Sequence, residues 1–257
     1  MSDTLASKLQ LIGLGVLAAL TVWVVWVILQ PTPPPPTSDA TAPPTSEATA
    51  NVTSPAPPPD MPVAIMFGDS YFNGWDGVAQ AYALGHNAAR TLGYLPVIRG
   101  AGETGYVTAR ADGQAGAPEG SFVDQITKEP LSNVGPAALV VLHGGLADVG
   151  APPATFSEGM RTVIRTVKEQ QPAARLVVLG PPNIAPRVER SGNAQLQATV
   201  AAEEGVAYIP FENLAPVEEL RAMIGPDSTH PTPEATAILA DRLANELAKL
   251  ITPAAIP

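Results

Sequence analysis

Two short segments at opposite ends of one stretch of chain carry the residue types that acyl-transfer chemistry needs. Gly68-Asp69-Ser70 follows an apolar run, Val63 to Phe67 (VAIMF), and precedes a helical pattern. A serine at such a strand-to-helix turn can present its hydroxyl above the sheet edge. Its own N–H, near the start of the helix, can then point at a developing oxyanion. Asp and Ser are equally suited to a plain helix cap, so the tripeptide alone leaves both readings open. The second segment is Asp227-Ser228-Thr229-His230-Pro231, ahead of the last helical pattern. A histidine takes a serine proton only when held in the right tautomer, and a carboxylate three residues earlier, across a turn blocked by proline, can hold it so. A capping segment with a surface histidine is the competing reading. The chain has three histidines and no cysteine. Disulfides, thiolate metal sites and thiol nucleophiles are therefore excluded together.

These segments must be positioned by a scaffold, and the apolar pattern describes one. Short runs without alternation fall at Val63 to Phe67, Leu95 to Ile98, Ala138 to Leu142, Leu176 to Leu179 and Val206 to Ile209. Helical patterns fall between them at Asp76 to Leu92, Phe156 to Gln170 and about Val188 to Glu204, with a last one at Pro233 to Ile251. The first carries Val78, Tyr82, Ala89 and Leu92 near one face. The second carries Met160, Val163, Ile164 and Val167 at three- and four-residue spacings, and the last carries Ile238, Leu239, Leu243, Leu247 and Leu250. Strands that are apolar throughout and alternate with helices predict a parallel sheet covered on both faces, here a five-stranded sheet in a three-layer α/β/α sandwich. In such sheets the working residues lie on loops after the carboxyl ends of the strands, where Ser70 falls.

Taken together, Gly68-Asp69-Ser70 and Asp227-x-x-His230-Pro231 resemble the motifs of the SGNH (GDSL-type) esterase and lipase family. The resemblance spans Met61 to about Leu250 and extends to Gly102-Glu103-Thr104-Gly105-Tyr106 and to the region Gln171 to Pro181. It implies a flavodoxin-like sandwich, an ester-hydrolase activity without a cofactor or a metal, Ser70 as nucleophile, His230 as base and Asp227 as its orienting acid. It also implies an oxyanion hole built from the N–H groups of Ser70 and Gly102, with Glu103 as the donor if the alignment slips by one residue. One position departs from the family. The block that normally reads G-x-N-D is Gly145-Leu146-Ala147-Asp148 here, so Ala147 replaces the asparagine whose amide completes the oxyanion hole. Removing one such donor typically costs about 10²–10³ in turnover. The expectation is a slow esterase, a site in which another group such as Asn73 or Asn183 fills the gap, or a silent module that binds a surface glycan or protein.

Other chemistries fit less well. His143-Gly144-Gly145 is similar to the H-G-G-G oxyanion loop of α/β-hydrolase lipases, but that loop precedes its serine, whereas His143 follows Ser70, and no G-x-S-x-G surrounds Ser70. His86, His143 and His230 match no common metal-ligand spacing. Tyr94, Tyr208 and Phe211 are expected in core or rim packing. The chain has 24 Asp and Glu against 14 Lys and Arg and no basic cluster, which argues against a nucleic-acid partner.

The residues before the domain have a different character. Leu11 to Leu29 is a 19-residue run without a charge, about long enough to cross a ~30 Å hydrocarbon core. Trp23 and Trp26 lie toward its far end, where aromatics favour the interface. A cleaved signal peptide is the rival, but its apolar region is usually roughly 7–15 residues with a small-x-small site close behind. Here Gln30-Pro31 follows, and Ala40-Thr41-Ala42 lies over ten residues on. Residues 1–10 are therefore expected in the cytoplasm, 11–29 as a single-pass signal anchor and 61–257 as an extracytoplasmic domain, since Lys8 precedes the run and no Lys or Arg follows before Arg90. Between Pro31 and Asp60, Pro, Thr, Ser and Ala make 25 of 30 residues, eleven of them proline. Residues 30–60 are thus expected as an extended linker, reaching about 90 Å if polyproline-like throughout. Asn51-Val52-Thr53 within it forms a glycosylation sequon.

Overall fold

The computed structural model describes residues 61–75, 78–109, 120–184, 188 and 191–251, all within one compact unit, Ser54–Pro257. The expected anchor (11–29) and linker (30–60) lie outside the described residues. Among the described residues, no helix is long and apolar enough to cross a membrane.

Five strands form one sheet: β1 (Val63–Gly68), β2 (Leu95–Arg99), β3 (Leu139–His143), β4 (Arg175–Leu179) and β5 (Ala207–Ile209). Their spatial order is β2-β1-β3-β4-β5, and every pairing is parallel. The first strand lies inside the sheet, next to one edge; the chain winds outward to β2 at that edge and then crosses back to β3. Successive connections leaving β1 and β3 therefore run in opposite directions, and a crevice opens above the carboxyl ends of these two strands.

Because side chains alternate across a strand, each apolar run feeds two cores. Ala64, Met66, Leu139, Val141, Val177 and Leu179 face one way, against a helix α2 (Leu84–Thr91) and the C-terminal helix α7 (Pro233–Ile251). Ile65, Phe67, Val140, Leu142 and Val178 face the other way. That face is covered by α3 (Phe122–Lys128), α4 (Pro153–Gln170) and α5 (Asn193–Glu203). Two further helices are a single turn, α1 (Ser70–Asn73), and α6 (Val217–Met223). The result is the expected three-layer sandwich.

Two expected elements differ in detail. The pattern from Asp76 to Leu92 is not one helix: Gln80–Tyr82 is a 3₁₀ turn, and α2 begins only at Leu84, after Ala79 and Ala83 adopt extended backbone. Tyr82 consequently falls out of the helical phase and stands 69% exposed rather than in the core. On α7, Leu239, Leu243 and Leu247 are buried as expected, but Ile238 is 45% exposed. Small residues, Ala235, Ala240 and Ala244, complete that buried stripe. Residues α3 and α6 occupy had no clear apolar period, each being only seven residues long. Helix α3 is instead set by a capping box in which Ser121 and Asp124 satisfy each other's backbone N–H groups. Phe211 is buried, while Tyr94 and Tyr208 are partly buried against the two cores, as packing residues should be.

Candidate active site

Ser70 is the first residue of α1, directly past the end of β1, and Asp69 caps that turn by accepting the Tyr71 N–H at 3.0 Å. His230 and Asp227 come from the loop between α6 and α7. This loop is folded around its own acid: Asp227 Oδ1 accepts the N–H groups of Thr229 and His230, each at 2.9 Å. Ser228 takes a left-handed φ of 58° to make that turn. The loop is closed by Gly225 N–H donating to the His230 carbonyl at 2.7 Å, and tied to α1 by the Tyr71 hydroxyl donating to the Thr229 carbonyl at 2.7 Å. Residues 160 positions apart are thereby held in register.

The side chains form a continuous relay. Ser70 Oγ lies 2.7 Å from His230 Nε2, and His230 Nδ1 lies 2.6 Å from Asp227 Oδ2. A carboxylate can only accept, so Nδ1 carries the ring proton, and the Nε2 lone pair faces the serine hydroxyl. Partial desolvation raises the Asp227 carboxyl, but the N–H groups of His230 and Thr229 and the imidazole outweigh it and hold it below the ordinary 3.8. The acid therefore stays charged opposite the ring. Trp75 stacks on the imidazole, with centroids 4.7 Å apart and planes 10° from parallel.

The relay opens into a cavity of about 460 Å³ lined by Ser70, His230, Asp227, Glu103, Thr108, Ala147 and neighbours. A Cβ built on Gly102 would sit 3.6 Å from Ser70 Cβ, so the Gly102 backbone lies against the serine. Among the described residues neither the Ser70 nor the Gly102 N–H has a hydrogen-bond acceptor. Glu103, with a φ of 61°, lines the cavity one residue further on. The structure thus brings together Ser70, His230, Asp227, Gly102 and Ala147.

The two asparagines expected as replacements for the missing amide lie elsewhere. The Asn73 side chain donates to the carbonyls of Gly68, Asp69 and Arg99, at 2.8, 3.2 and 3.4 Å, and braces the loop from beneath. The Asn183 amide donates to Glu212. Each amide donates to a partner elsewhere, and neither residue is among those that line the cavity.

Asp148, next to Ala147, is fully buried and accepts three N–H groups: Tyr106 at 2.9 Å, Val107 at 3.1 Å and Thr108 at 2.9 Å. It fastens the loop after β2 to the loop after β3. Gly105 must be glycine for this, since a Cβ there would lie 2.2 Å from the Asp148 carboxylate. The β3 loop is held from the other side by Asn193 and Gln197 of α5, which donate to the carbonyls of Gly145 and Gly144, both at 2.8 Å. Their polar i, i+4 spacing on a helix face shared with Val200 and Ala201 was the available sequence signal for this role. Trp75 offered no such signal, because its partner is 155 positions away in an unrelated loop.

His143, at the end of β3, is buried beneath this site. Its Nδ1 faces the Leu179 carbonyl at 3.2 Å, and its Nε2 lies 3.7 Å from Asp69 Oδ1, beyond hydrogen-bond range. Burial pushes the Asp69 carboxyl up, against the opposing pull of His143 and the Tyr71 N–H. Among the described residues no group of three or more His, Asp or Glu is placed to hold a metal ion.

Comparisons with known proteins bear on the fold and the family. No curated protein matches the sequence. Among solved structures, the aryl esterase of M. smegmatis is 17% identical with a TM-score of 0.56, over 74% of this chain and 99% of that one. A family two carbohydrate esterase from Clostridium thermocellum, in complex with cellohexaose, is 15% identical with a TM-score of 0.57, over 75% of this chain and 66% of that one. A psychrotrophic esterase from Pseudoalteromonas sp., inhibited by monoethylphosphonate, is 12% identical with a TM-score of 0.55, over 73% of this chain and 97% of that one. At these identities the likeness is one of fold. The model of the GDSL-like Lipase/Acylhydrolase family matches residues 66–238, a span that holds both ends of the serine–histidine–aspartate relay, and the chain belongs to that family.

Proposed function

We propose that this protein is a serine esterase that cleaves a short acyl or acetyl ester, with Ser70 as nucleophile. The observation that carries the reading is the unbroken relay of 2.7 and 2.6 Å hydrogen bonds from Ser70 through His230 to Asp227. Ser70 Oγ attacks the ester carbonyl while His230 Nε2 takes its proton. Asp227 holds the resulting imidazolium in place and keeps its own charge. The oxyanion is stabilised by the N–H groups of Ser70 and Gly102. His230 then returns its proton to the departing alcohol, leaving an acyl-Ser70, and the same base activates a water that releases the acid. No cofactor enters these steps. Among the described residues, Asp69, Glu103 and Asp227 border the cavity and no Lys or Arg lines it, which suits a neutral ester better than an anionic one. With residues 11–29 as an outward-facing anchor, the substrate would be an ester on a surface glycan or lipid. The carbohydrate-esterase neighbour is in keeping with the glycan.

Ala147 favours a second reading, a catalytically silent module that binds a surface glycan or protein. It lines the cavity, stands at the sequence position where the family's motif has asparagine, and has no side-chain donor. Turnover of p-nitrophenyl acetate by the full chain separates the two. The esterase reading expects hydrolysis that Ser70→Ala abolishes, and it fails if no Ser70-dependent turnover is found. If the amide is what limits the rate, Ala147→Asn accelerates turnover by about tenfold or more. An unchanged rate in that variant means another group already serves.

A further inference from the structure

We propose that the hydroxyl of Thr108 is the third oxyanion donor of this site, standing in for the amide that Ala147 lacks. The inference rests on the esterase reading above and concerns the same cavity. Among the described residues, four on its wall carry side-chain donors: Ser70, Thr108, Thr229 and His230. Ser70 forms the bond to carbon, and His230 carries the proton. Thr229 belongs to the loop of the base, where its hydroxyl lies 3.4 Å from the Asp227 carbonyl. Asn73 and Asn183 are engaged outside the cavity. Thr108 remains.

Thr108 lines the same cavity as Ser70 and Ala147. The Thr108 N–H donates to Asp148 Oδ1 at 2.9 Å, and Asp148 is the chain neighbour of Ala147. Thr108 therefore borders the same stretch of wall from which the amide is missing. Its backbone is fixed at both polar groups, because its carbonyl accepts the Gly105 N–H at 2.9 Å. Among the described residues its hydroxyl has no hydrogen-bond partner, unlike those of Thr104, Thr127, Thr162, Thr199 and Thr236, which donate to backbone carbonyls. A threonine side chain moves between staggered wells by rotation about one bond, so the hydroxyl can turn toward the oxyanion without moving the backbone. The donor gives a charge-assisted hydrogen bond and transfers no proton. The loop after β2 would then supply two of the three donors, Gly102 and Thr108, and Asp148 would be the clamp that places the second.

The test uses the full chain with two measurements: p-nitrophenyl acetate turnover, and the rate at which a p-nitrophenyl alkylphosphonate labels Ser70. In the labelling step Ser70 Oγ bonds to phosphorus, its proton passes to His230, p-nitrophenolate leaves, and a phosphoryl oxygen occupies the oxyanion position. Thr108→Val, which keeps the shape and removes the hydroxyl, is expected to lower kcat about 10²-fold with KM nearly unchanged, and to slow labelling in parallel. Thr108→Ser is expected to restore both to within about threefold of the native chain, and Ala147→Asn added to Thr108→Val to recover most of the loss. Native kcat and native labelling in Thr108→Val overturn the role of Thr108 while leaving the chemistry of Ser70 standing. Equal losses in the valine and serine variants make Thr108 a structural residue and also overturn it. A native chain that neither turns over nor labels overturns the esterase reading and Thr108 with it.

Discussion

Two histidines of this chain each face an aspartate, one on either side of the loop that bears Ser70. His230 and Asp227 meet at 2.6 Å with side chains 17% and 47% exposed, and the free ring nitrogen points at Ser70. His143 and Asp69 approach only to 3.7 Å, with the ring fully buried among Tyr71, Phe72 and Phe211. Composition and even residue type are the same in the two pairs. What separates them is the loop: Asp227 is locked by two backbone N–H groups that aim its second oxygen at the ring, whereas Asp69 uses Oδ1 to cap α1. Solvent separates them too. The Asp227 carboxyl is held below its ordinary range and the Asp69 carboxyl is pushed above it by burial. A proton relay needs a directed hydrogen bond and access to substrate, and only the first pair has both.

Breaking the histidines gives the largest contrast. His230→Gln is expected to lower kcat for p-nitrophenyl acetate by about 10⁵–10⁶, since the base is lost. His143→Gln, which lies under the site and touches no substrate, is expected to keep turnover within about tenfold. Equal losses in the two variants would erase the distinction. The aspartates give the next contrast: Asp227→Asn is expected to cost about 10³–10⁴ in kcat by leaving the ring in the wrong tautomer. Asp69→Asn retains an oxygen to cap α1 and is expected to cost less than about tenfold.

The smallest effect, in melting temperature against pH, has opposite signs at the two carboxyls. Asp69 binds its proton more tightly in the folded chain than in the unfolded one. Its contribution is therefore fully present below the ordinary 3.8 and is lost as pH rises through the higher folded value. Asp227 is held low, so its contribution is present above 3.8 and is lost as pH falls through the lower folded value. Asp69→Asn is expected to melt a few degrees above the native chain at neutral pH, with the gain vanishing on acidification. Asp227→Asn is expected to melt slightly lower at neutral pH and to converge with the native chain in acid. A neutral-pH gain for Asp227→Asn would contradict the assignment of the two environments.

The central strands β1, β3 and β4 were legible because parallel strands buried on both faces are apolar almost throughout, as in Val63 to Phe67 or Leu139 to Leu142. The less buried edge strands β2 and β5 were legible as short apolar runs between helices. Ser70, His230 and Asp227, the proposed nucleophile, base and acid, were legible because each lies within a few residues of a strand end or a helix start, where local sequence constrains the backbone. Other parts depend on contacts between distant loops and left no local mark. Trp75 against His230 and Asp148 gathering the N–H groups of residues 106–108 are of this kind. The helix expected from Asp76 failed for a related reason. Its apolar period continued through Ala79 and Ala83, where the tertiary fold holds the backbone extended. Ala147 was visible as a departure, but what surrounds it was not.

The central claim is that Ser70 forms a covalent bond to the acyl group under the control of His230. The most direct test is to quench the full chain in acid during p-nitrophenyl acetate turnover and to locate the acetyl group by peptide mass spectrometry. Acetyl is expected on Ser70, with loss of that label in His230→Gln. Turnover that proceeds with no acetyl on Ser70, or with the label equally abundant in His230→Gln, would contradict it.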